Sequence, residues 1–435
     1  MPAQTKEGLK RVIGARGLAA NIVNITVGAG IYVLPAIVAI QVGNASVLVY
    51  LFCAVMLISI MLCYAETGSR ITTSGGSYVY VEAAFGPFAG FVVNWLFVFG
   101  WGSAGSAALM NVAADSLATF FPVFSMAMPR AILFFILTAL FILVNIRGAR
   151  QSMRLVELIT LFKLLPLAAV IILGLTNLKF NNLHWPQHLP PVKTFGQTAL
   201  VLFFAFAGFE TALNSSGEIE NPRHAIPRGI LFGGGLVFVA YIIIQTITQG
   251  VLGAQIHLFK DAPLAAVAER ILGPIGGAAL LIAAIVSSLG VVAGDILASP
   301  RLLFAGANDG LFPKFLGKVH SKFATPYVAI IFYAGLIFGF SISGGFKELA
   351  ILSSGSLLLI YLSVVLATIK LRFKKEPGNE QGFKAPGGML FPVAAVIAIV
   401  WLLSHLTMKE DIATASFVAF VCLIYFLMKL SRRVT

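Results

Sequence analysis

Charge is scarce in this chain. Only 11% of its 435 residues are Asp, Glu, Lys or Arg, against about 25% in a soluble domain. So little polar surface cannot coat a globule of this size, which excludes a water-soluble enzyme or regulatory domain as the bulk of the chain. Cysteine is scarcer still. Cys53, Cys63 and Cys422 each fall inside an apolar run. That odd, scattered set supplies neither a disulfide framework nor a zinc pattern, and it leaves no external cysteine for a disulfide to an ancillary chain. Catalytic signatures are missing too: there is no H-E-x-x-H, no G-x-S-x-G and no phosphate loop. The stretch "VGAGIYV" opens like a dinucleotide fingerprint, but Val33 holds the third glycine position and no strand precedes it. These absences argue against an enzyme and leave no cofactor or metal to assign.

Hydrocarbon is what the chain has in abundance, with 59% of residues hydrophobic. Apolar runs of about 18 or more residues, each long enough to cross a bilayer as a helix, recur throughout. The spans expected are roughly 17–41, 45–66, 88–121, 130–147, 155–176, 195–214, 228–252, 275–299, 326–343, 349–371, 389–408 and 412–430. The basic segment "MPAQTKEGLKRVIGARG" before them reads as retained rather than as a cleaved signal.

An even number of spans puts both termini on one side. That side collects Lys6, Lys10, Arg11 and Arg16, then Arg147, Arg150 and Arg154, Arg223 and Arg228, and Arg301, Lys314, Lys318 and Lys322. Lys370, Arg372, Lys374, Lys375, Lys384, Lys429, Arg432 and Arg433 complete it, whereas the opposite loops hold far fewer. The positive-inside bias makes both termini cytoplasmic, in a plasma or inner membrane. It also accounts for most of the net charge of +13 without any nucleic acid. The run "KLRFKKEPGNEQGFK" reads as a basic anchor at that surface. Asp115, Glu66 with Arg70, and His405 lie near span ends and read as interfacial or structural.

Two spans carry a weak point. In "NITVGAGIYVLP", Gly28 and Gly30 flank Ala29 in mid-span, at roughly 1 kcal/mol of helix stability for each glycine. In "FFAFAGFETALNSSGEIENP" the helix pattern fails at Ala207 and Gly208 and then dissolves into Asn214, Ser215, Ser216 and Gly217. A second echo has nearly the same separation: "AAFGPFAG" precedes span three and "RILGPIGG" precedes span eight. Small-residue patches also serve tight helix packing, but two at repeat spacing favour broken helices. Their freed backbone groups must face protein or a water-filled cavity.

The weakened spans are five apart, and five is odd, so the second copy enters the membrane inverted. The expected architecture is all-α and membrane-embedded, with about twelve transmembrane helices in a LeuT-type 5+5 inverted repeat followed by two C-terminal helices. Its parts are a cytoplasmic N-terminus (1–16), a first repeat (17–176), a second repeat (177–371), a cytoplasmic loop (372–388), and two further helices with the C-terminus (389–435).

These stretches resemble the amino acid–polyamine–organocation transporters. "GAGIYVLP" is similar to that family's G-S-G-I-F-x-x-P motif. "YAETGSRITTSGGSYVYVEAAFGPFAGF", "AGFETALNSSGEIENPRHAIPRGI" and "LASPRLLFAGANDGLFPKFLGKVHSKFATP" match its later segments in order. The resemblance covers essentially the whole chain and specifies the superfamily far better than the cargo. It implies alternating-access transport of an amino acid or related amine by a monomer or homo-oligomer in the lipid bilayer.

It also implies roles for particular residues. The substrate carboxylate belongs near Gly28, Ala29 and Gly30. Its ammonium belongs at the carbonyls of Thr26 and of Phe204, Ala205, Phe206 and Ala207, ahead of Gly208. Half-helix ends suit both groups, since free N–H groups take the anion and free carbonyls the cation. Phe204 occupies the place of a gating aromatic in related exchangers, or packs. Lys163, about 12 Å into span five at 1.5 Å per residue, matches a lysine of sodium-independent members that stands where relatives bind sodium. Whether it cycles a proton or stays charged leaves proton symport and exchange both open. Glu210 is either a proton carrier or a carboxylate bonded to freed backbone. Asp295, in "VVAGDILASPR", departs from the family's usual Asn-Gly or Gly-Gly. It is a candidate contact for a cationic substrate side chain, a proton or a buried base, or it lies at a water-accessible helix end, since Arg301 follows six residues on. A passive channel would need a charge ring or filter, and a transporter-like sensor would carry a sizeable soluble domain; the sequence has neither.

Overall fold

The computed structural model describes residues 13–434 except 29, 74, 148, 309, 324 and 375–381. Ala29 of the first weak point therefore lies outside the described residues, as do most of the N-terminal segment and part of the 372–388 loop. The described chain is helical, and its one sheet-like feature is an isolated bridge between Ile13 and Ile219. The first weak span divides into α1 (Ala15–Thr26) and α2 (Gly30–Val42), and α3 (Ser46–Arg70) returns. Then come α4 (Ser77–Phe85) and α5 (Pro87–Trp95). A π-helical stretch (Leu96–Gly102) leads into α6 (Ser103–Phe120), followed by α7 (Ala127–Arg147) and α8 (Ala149–Thr176).

The second weak span divides into α9 (Val192–Phe206) and the short α10 (Phe209–Ala212). After it run α11 (Pro222–Leu252), α12 (Pro263–Leu272), α13 (Pro274–Asn308), α14 (Tyr327–Ser343), α15 (Phe346–Phe373), α16 (Leu390–Leu403) and α17 (Met408–Val434). Eight helical stretches among the described residues are long and apolar enough to cross a membrane, and three shorter apolar helices accompany them.

The "GPFAG" and "GPIGG" echoes are one elbow built twice. Helix α4 ends at Gly86 with φ +89°, and α12 ends at Gly273 with φ +75°, backbone that side-chain-bearing residues rarely adopt. Each glycine N–H donates to the carbonyl of a glutamate four residues back, Glu82 or Glu269. Each is followed by a proline that opens the next helix, where a missing N–H costs nothing. The helices then pack closely. A Cβ added at Gly90 would sit 2.8 Å from Glu82 Cβ, and one at Gly277 would sit 3.1 Å from Glu269 Cβ.

Burial sorts the helices into centre and rim. Of the apolar windows, 72% is buried in Val192–Ala212 and only 6% in α17. Helix α17 packs on α5 and α15 and exposes Phe420, Leu423, Phe426 and Leu427; α7 likewise exposes Phe135, Ile136, Leu140 and Leu143. Such faces suit lipid hydrocarbon, which asks for no polar covering. In the centre, α2 lies along α9, and α1 lies along α10 and α11. Helix α15 packs on α9 and on α6, and α6 packs on α13. At one end of the bundle, Glu66 is buried and accepts hydrogen bonds from Arg70 (2.8 Å), Arg372 Nε (2.8 Å) and the Ala385 backbone (2.9 Å), tying α3 to α15 and to the segment that follows it. Asp115 pairs with Arg130 at 2.6 Å, and His405 Nδ1 lies 2.8 Å from the Trp401 carbonyl.

Candidate functional site

The two breaks meet each other. A Cβ added at Gly30 would lie 3.1 Å from Ala205 Cα, and one at Gly208 would lie 3.3 Å from Thr26 Cα. Only small residues allow the half-helices to approach this closely.

At the first break, α1 ends at Thr26, and its last carbonyls have no helical partner. They are claimed individually. Lys163 Nζ, on a side chain 1% exposed, donates to Asn24 O at 2.5 Å and to Val27 O at 3.0 Å. Tyr241 Oη and the Gly28 N–H both donate to Thr26 O, at 3.0 and 2.8 Å. Ser287 Oγ approaches Val27 O at 3.4 Å. Tyr32 Oη donates to the carbonyl of Lys163 itself at 3.2 Å, tying α2 to α8. With its carbonyl doubly occupied, Thr26 still has a buried hydroxyl without a hydrogen-bond partner. Gly28 faces Val291 of α13 and Leu109 of α6, 3.6 and 3.9 Å from where its Cβ would be.

At the second break, Ala207 is extended and Gly208 takes φ +127°. Glu210, fully buried, turns back on it. Its Oε2 accepts the Gly208 N–H at 3.1 Å and Tyr361 Oη at 2.5 Å, while Oε1 has no partner. Tyr64, Phe209 and Tyr361 pack mutually, with ring centroids 5.2 to 5.5 Å apart. The alternation on α9 divides its aromatics. Phe204 faces Trp101 and Phe346, at 6.0 and 5.9 Å. Phe206 faces Tyr50, Phe238 and Tyr241 on the other side, at 5.0 to 5.9 Å. Ala205 lies against Gly30.

Asp295 lies four residues beyond Val291 on α13 and is ringed by hydroxyls. Ser106 and Tyr333 donate to Oδ2 at 2.6 Å each, and Ser299 donates to Oδ1 at 2.5 Å. Nearby, the π-helical stretch turns the Trp101 carbonyl towards Ser353 Oγ, 2.9 Å away; such stretches recur at functional sites.

Thr26, Gly28, Gly30, Phe204 to Gly208, Lys163 and Glu210 therefore share one locus, and Asp295 stands one helical turn from it. Sequence reasoning passed over Tyr32, Tyr241, Tyr333 and Tyr361, together with Ser106, Ser287 and Ser299. A signal existed for the tyrosines. Each sits mid-span in an apolar run, where a phenol O–H must find a partner: Tyr241 serves a freed carbonyl, Tyr333 and Tyr361 an intramembrane carboxylate, and Tyr32 the Lys163 carbonyl within α8.

A family model described as amino acid permease matches residues 13–428. The branched-chain amino acid permease BcaP of Bacillus subtilis is 27% identical over 97% of this chain and 94% of its own length. The serine/threonine exchanger SteT of the same organism is 27% identical over 90% and 89%. The human large neutral amino acids transporter small subunit 2 is 27% identical over 93% of this chain and 77% of its own length.

Proposed function

The chain belongs to the amino acid permease family, and from that premise we propose that it carries an amino acid or related amine across the plasma or inner membrane by alternating access. In this reading both termini are cytoplasmic and twelve spans form a 5+5 inverted repeat with two added helices. The twin elbows at Gly86 and Gly273 and the paired breaks support it. The observation that carries the proposal is the contact between the breaks. Two interrupted helices, touching through glycines, bring free half-helix ends to one place at membrane depth. The substrate carboxylate sits at Gly28, Ala29 and Gly30, and its ammonium at Thr26 and the carbonyls of Phe204 to Ala207. Phe204 closes over the cargo from the α6 and α15 side.

Transport is sodium-independent, because the Lys163 ammonium already occupies the carbonyls of Asn24 and Val27 where a sodium ion would bind. It is driven by the proton gradient. One observation favours amino acid exchange as the second reading: carbonyl acceptors on Lys163 suit a permanently charged lysine, which would carry no proton through the cycle.

Uptake of labelled leucine, serine, threonine and lysine into proteoliposomes tests both, crossed with a pH gradient, a sodium gradient and preloaded amino acid. Neutral cargo comes first, since relatives are named for it. The expected result is uptake that sodium leaves unchanged and an inward acid gradient raises. Stimulation by sodium overturns sodium independence. Uptake that appears only with preloaded vesicles replaces symport with exchange.

A further inference from the structure

Three ionisable side chains lie deep in the bundle, and they differ in what surrounds them. Lys163 faces two carbonyls, which can only accept and therefore fix it as a donor. Glu210 takes a backbone N–H, which can only donate, together with the Tyr361 hydroxyl, and its Oε1 has no partner. Asp295 is held by three hydroxyls and nothing else of fixed polarity. A hydroxyl donates to a carboxylate and can turn to accept from a carboxylic acid. Of the three groups, Asp295 is the one held by hydroxyls alone, each able to donate or accept.

Its surroundings also lack a counter-ion. Among the described residues, no Lys, Arg or His nitrogen lies within 4.0 Å of it. The titratable group that faces it from another helix is the Tyr333 phenol of α14; α6 contributes Ser106, and its own helix Ser299. Among the described side chains, the charges on other elements packed on α13 are engaged elsewhere or placed at the ends of helices. Lys163 of α8 is on the first break. Arg130 of α7 is on Asp115, and Arg147 closes the same helix. Glu269 and Arg270 end α12, and Lys314 lies in the turn beyond α13. Arg301 follows on the same helix, about 240° round it from Asp295. A bare carboxylate at membrane depth is costly and marks a cation or proton site.

Position links this group to the cargo. Val291, one turn away on α13, and Leu109, one turn from Ser106 on α6, are the two side chains nearest Gly28. Asp295 as a residue is only partly buried.

We infer that the Asp295 carboxylate, caged by Ser106, Ser299 and Tyr333, is the proton-binding site that couples cargo movement to the proton gradient. The inference rests on the proton-driven reading above. In the step it makes, a carboxylate oxygen forms an O–H bond with a proton from water on one side, and one hydroxyl turns from donor to acceptor. That O–H bond breaks to water on the other side after the bundle reorients. No other co-reactant takes part.

The test uses Asp295→Asn in proteoliposomes with the labelled amino acid that the wild type takes up. The ratio of pH-driven accumulation to exchange is expected to fall at least tenfold, and infrared difference spectra between acid and alkaline buffer to lose a carboxylic-acid C=O band. If the wild type itself ignores the pH gradient, the proton-driven reading fails. If the wild type responds and Asp295→Asn responds equally, with the band retained, the inference alone fails. A change in lysine-against-leucine selectivity with pH-driven accumulation kept would overturn it in favour of a substrate contact. Should the asparagine variant not fold, Tyr333→Phe decides. Removing one donor to the ionised form moves the pH profile of accumulation to the alkaline side, and an unmoved profile overturns the inference.

Discussion

The two helix breaks solve one problem with opposite charges. At the first, a helix ends and leaves carbonyls, and a lysine from α8 answers them. At the second, a short helix begins at Gly208, and its N–H is answered by Glu210 two residues on. The signs follow the helix direction, with a cation at a C-terminal end and a carboxylate at an N-terminal one. The sources differ. The carboxylate is local and travels with its own break, whereas the ammonium is delivered by another helix and ties two helices together. The first break therefore depends on a residue brought by another helix, and the second answers its own N–H, with Tyr361 of α15 joining the same carboxylate oxygen.

Lys163→Ala strikes where that difference is greatest. Two hydrogen bonds from a charged donor, each worth about 1.5–3 kcal/mol, vanish, and two buried carbonyls lose their partner. Uptake into proteoliposomes is expected to fall on the order of 100-fold, while detergent-purified protein still elutes as a single species. Uptake within threefold of wild type would mean that the first break holds itself and that the contrast between the breaks is false.

A smaller effect is expected at the second break from Gly208→Ala. The new methyl must adopt φ +127° and lie 3.2 Å from Ile25 Cγ2 and 3.3 Å from Thr26 Cα. Strain of about 1–3 kcal/mol follows, read as a lower thermal midpoint together with roughly tenfold slower uptake. Gly235→Ala is the matched control. It lies in α11 with nothing within 4 Å of the added atom, and helix propensity alone makes it stabilising by up to about 1 kcal/mol. Equal losses from both substitutions would show that the breaks tolerate side chains and have no special proximity.

Much of this arrangement was legible in the sequence, because both breaks are written in small residues that recur at repeat spacing. Gly28-Ala29-Gly30 and Ala207-Gly208 weaken a mid-membrane helix, and a lysine eight residues into an apolar run needs an acceptor. The elbow echo was legible too, since glycine before proline dictates both the left-handed turn and the restart. Lys163 and the first break were linked only through resemblance, because nothing along the chain says which carbonyls a distant ammonium will meet. The tyrosine and serine partners stayed hidden for the same reason: a hydroxyl in an apolar run shows that it has a partner, not which one. Asp295 was readable as an anomaly, and its cage was not, since Ser106 and Tyr333 reach it from two other helices.

The smallest effect expected separates two phenylalanines one residue apart from each other on α9. Phe204 and Phe206 flank Ala205, the residue that touches Gly30, and point to opposite sides of the second break. Phe206 packs on Tyr50, Phe238 and Tyr241, and through Tyr241 it supports Thr26 O at the first break. Phe204 packs on Trp101 and Phe346, 3.6 Å from where a Cβ on Gly105 would be and on the face of α6 that leads to Leu109 and Gly28. Leucine is close in volume, so each Phe→Leu change costs less than about 1.5 kcal/mol of stability. Their kinetics are expected to part. Phe204→Leu loses an aromatic contact worth about 0.5–1.5 kcal/mol over the cargo, which raises KM several-fold with little change in the maximal rate. Phe206→Leu leaves KM in place and lowers the thermal midpoint instead. Matching KM values in the two variants would remove Phe204 from the cargo side and make both phenylalanines packing residues of one break.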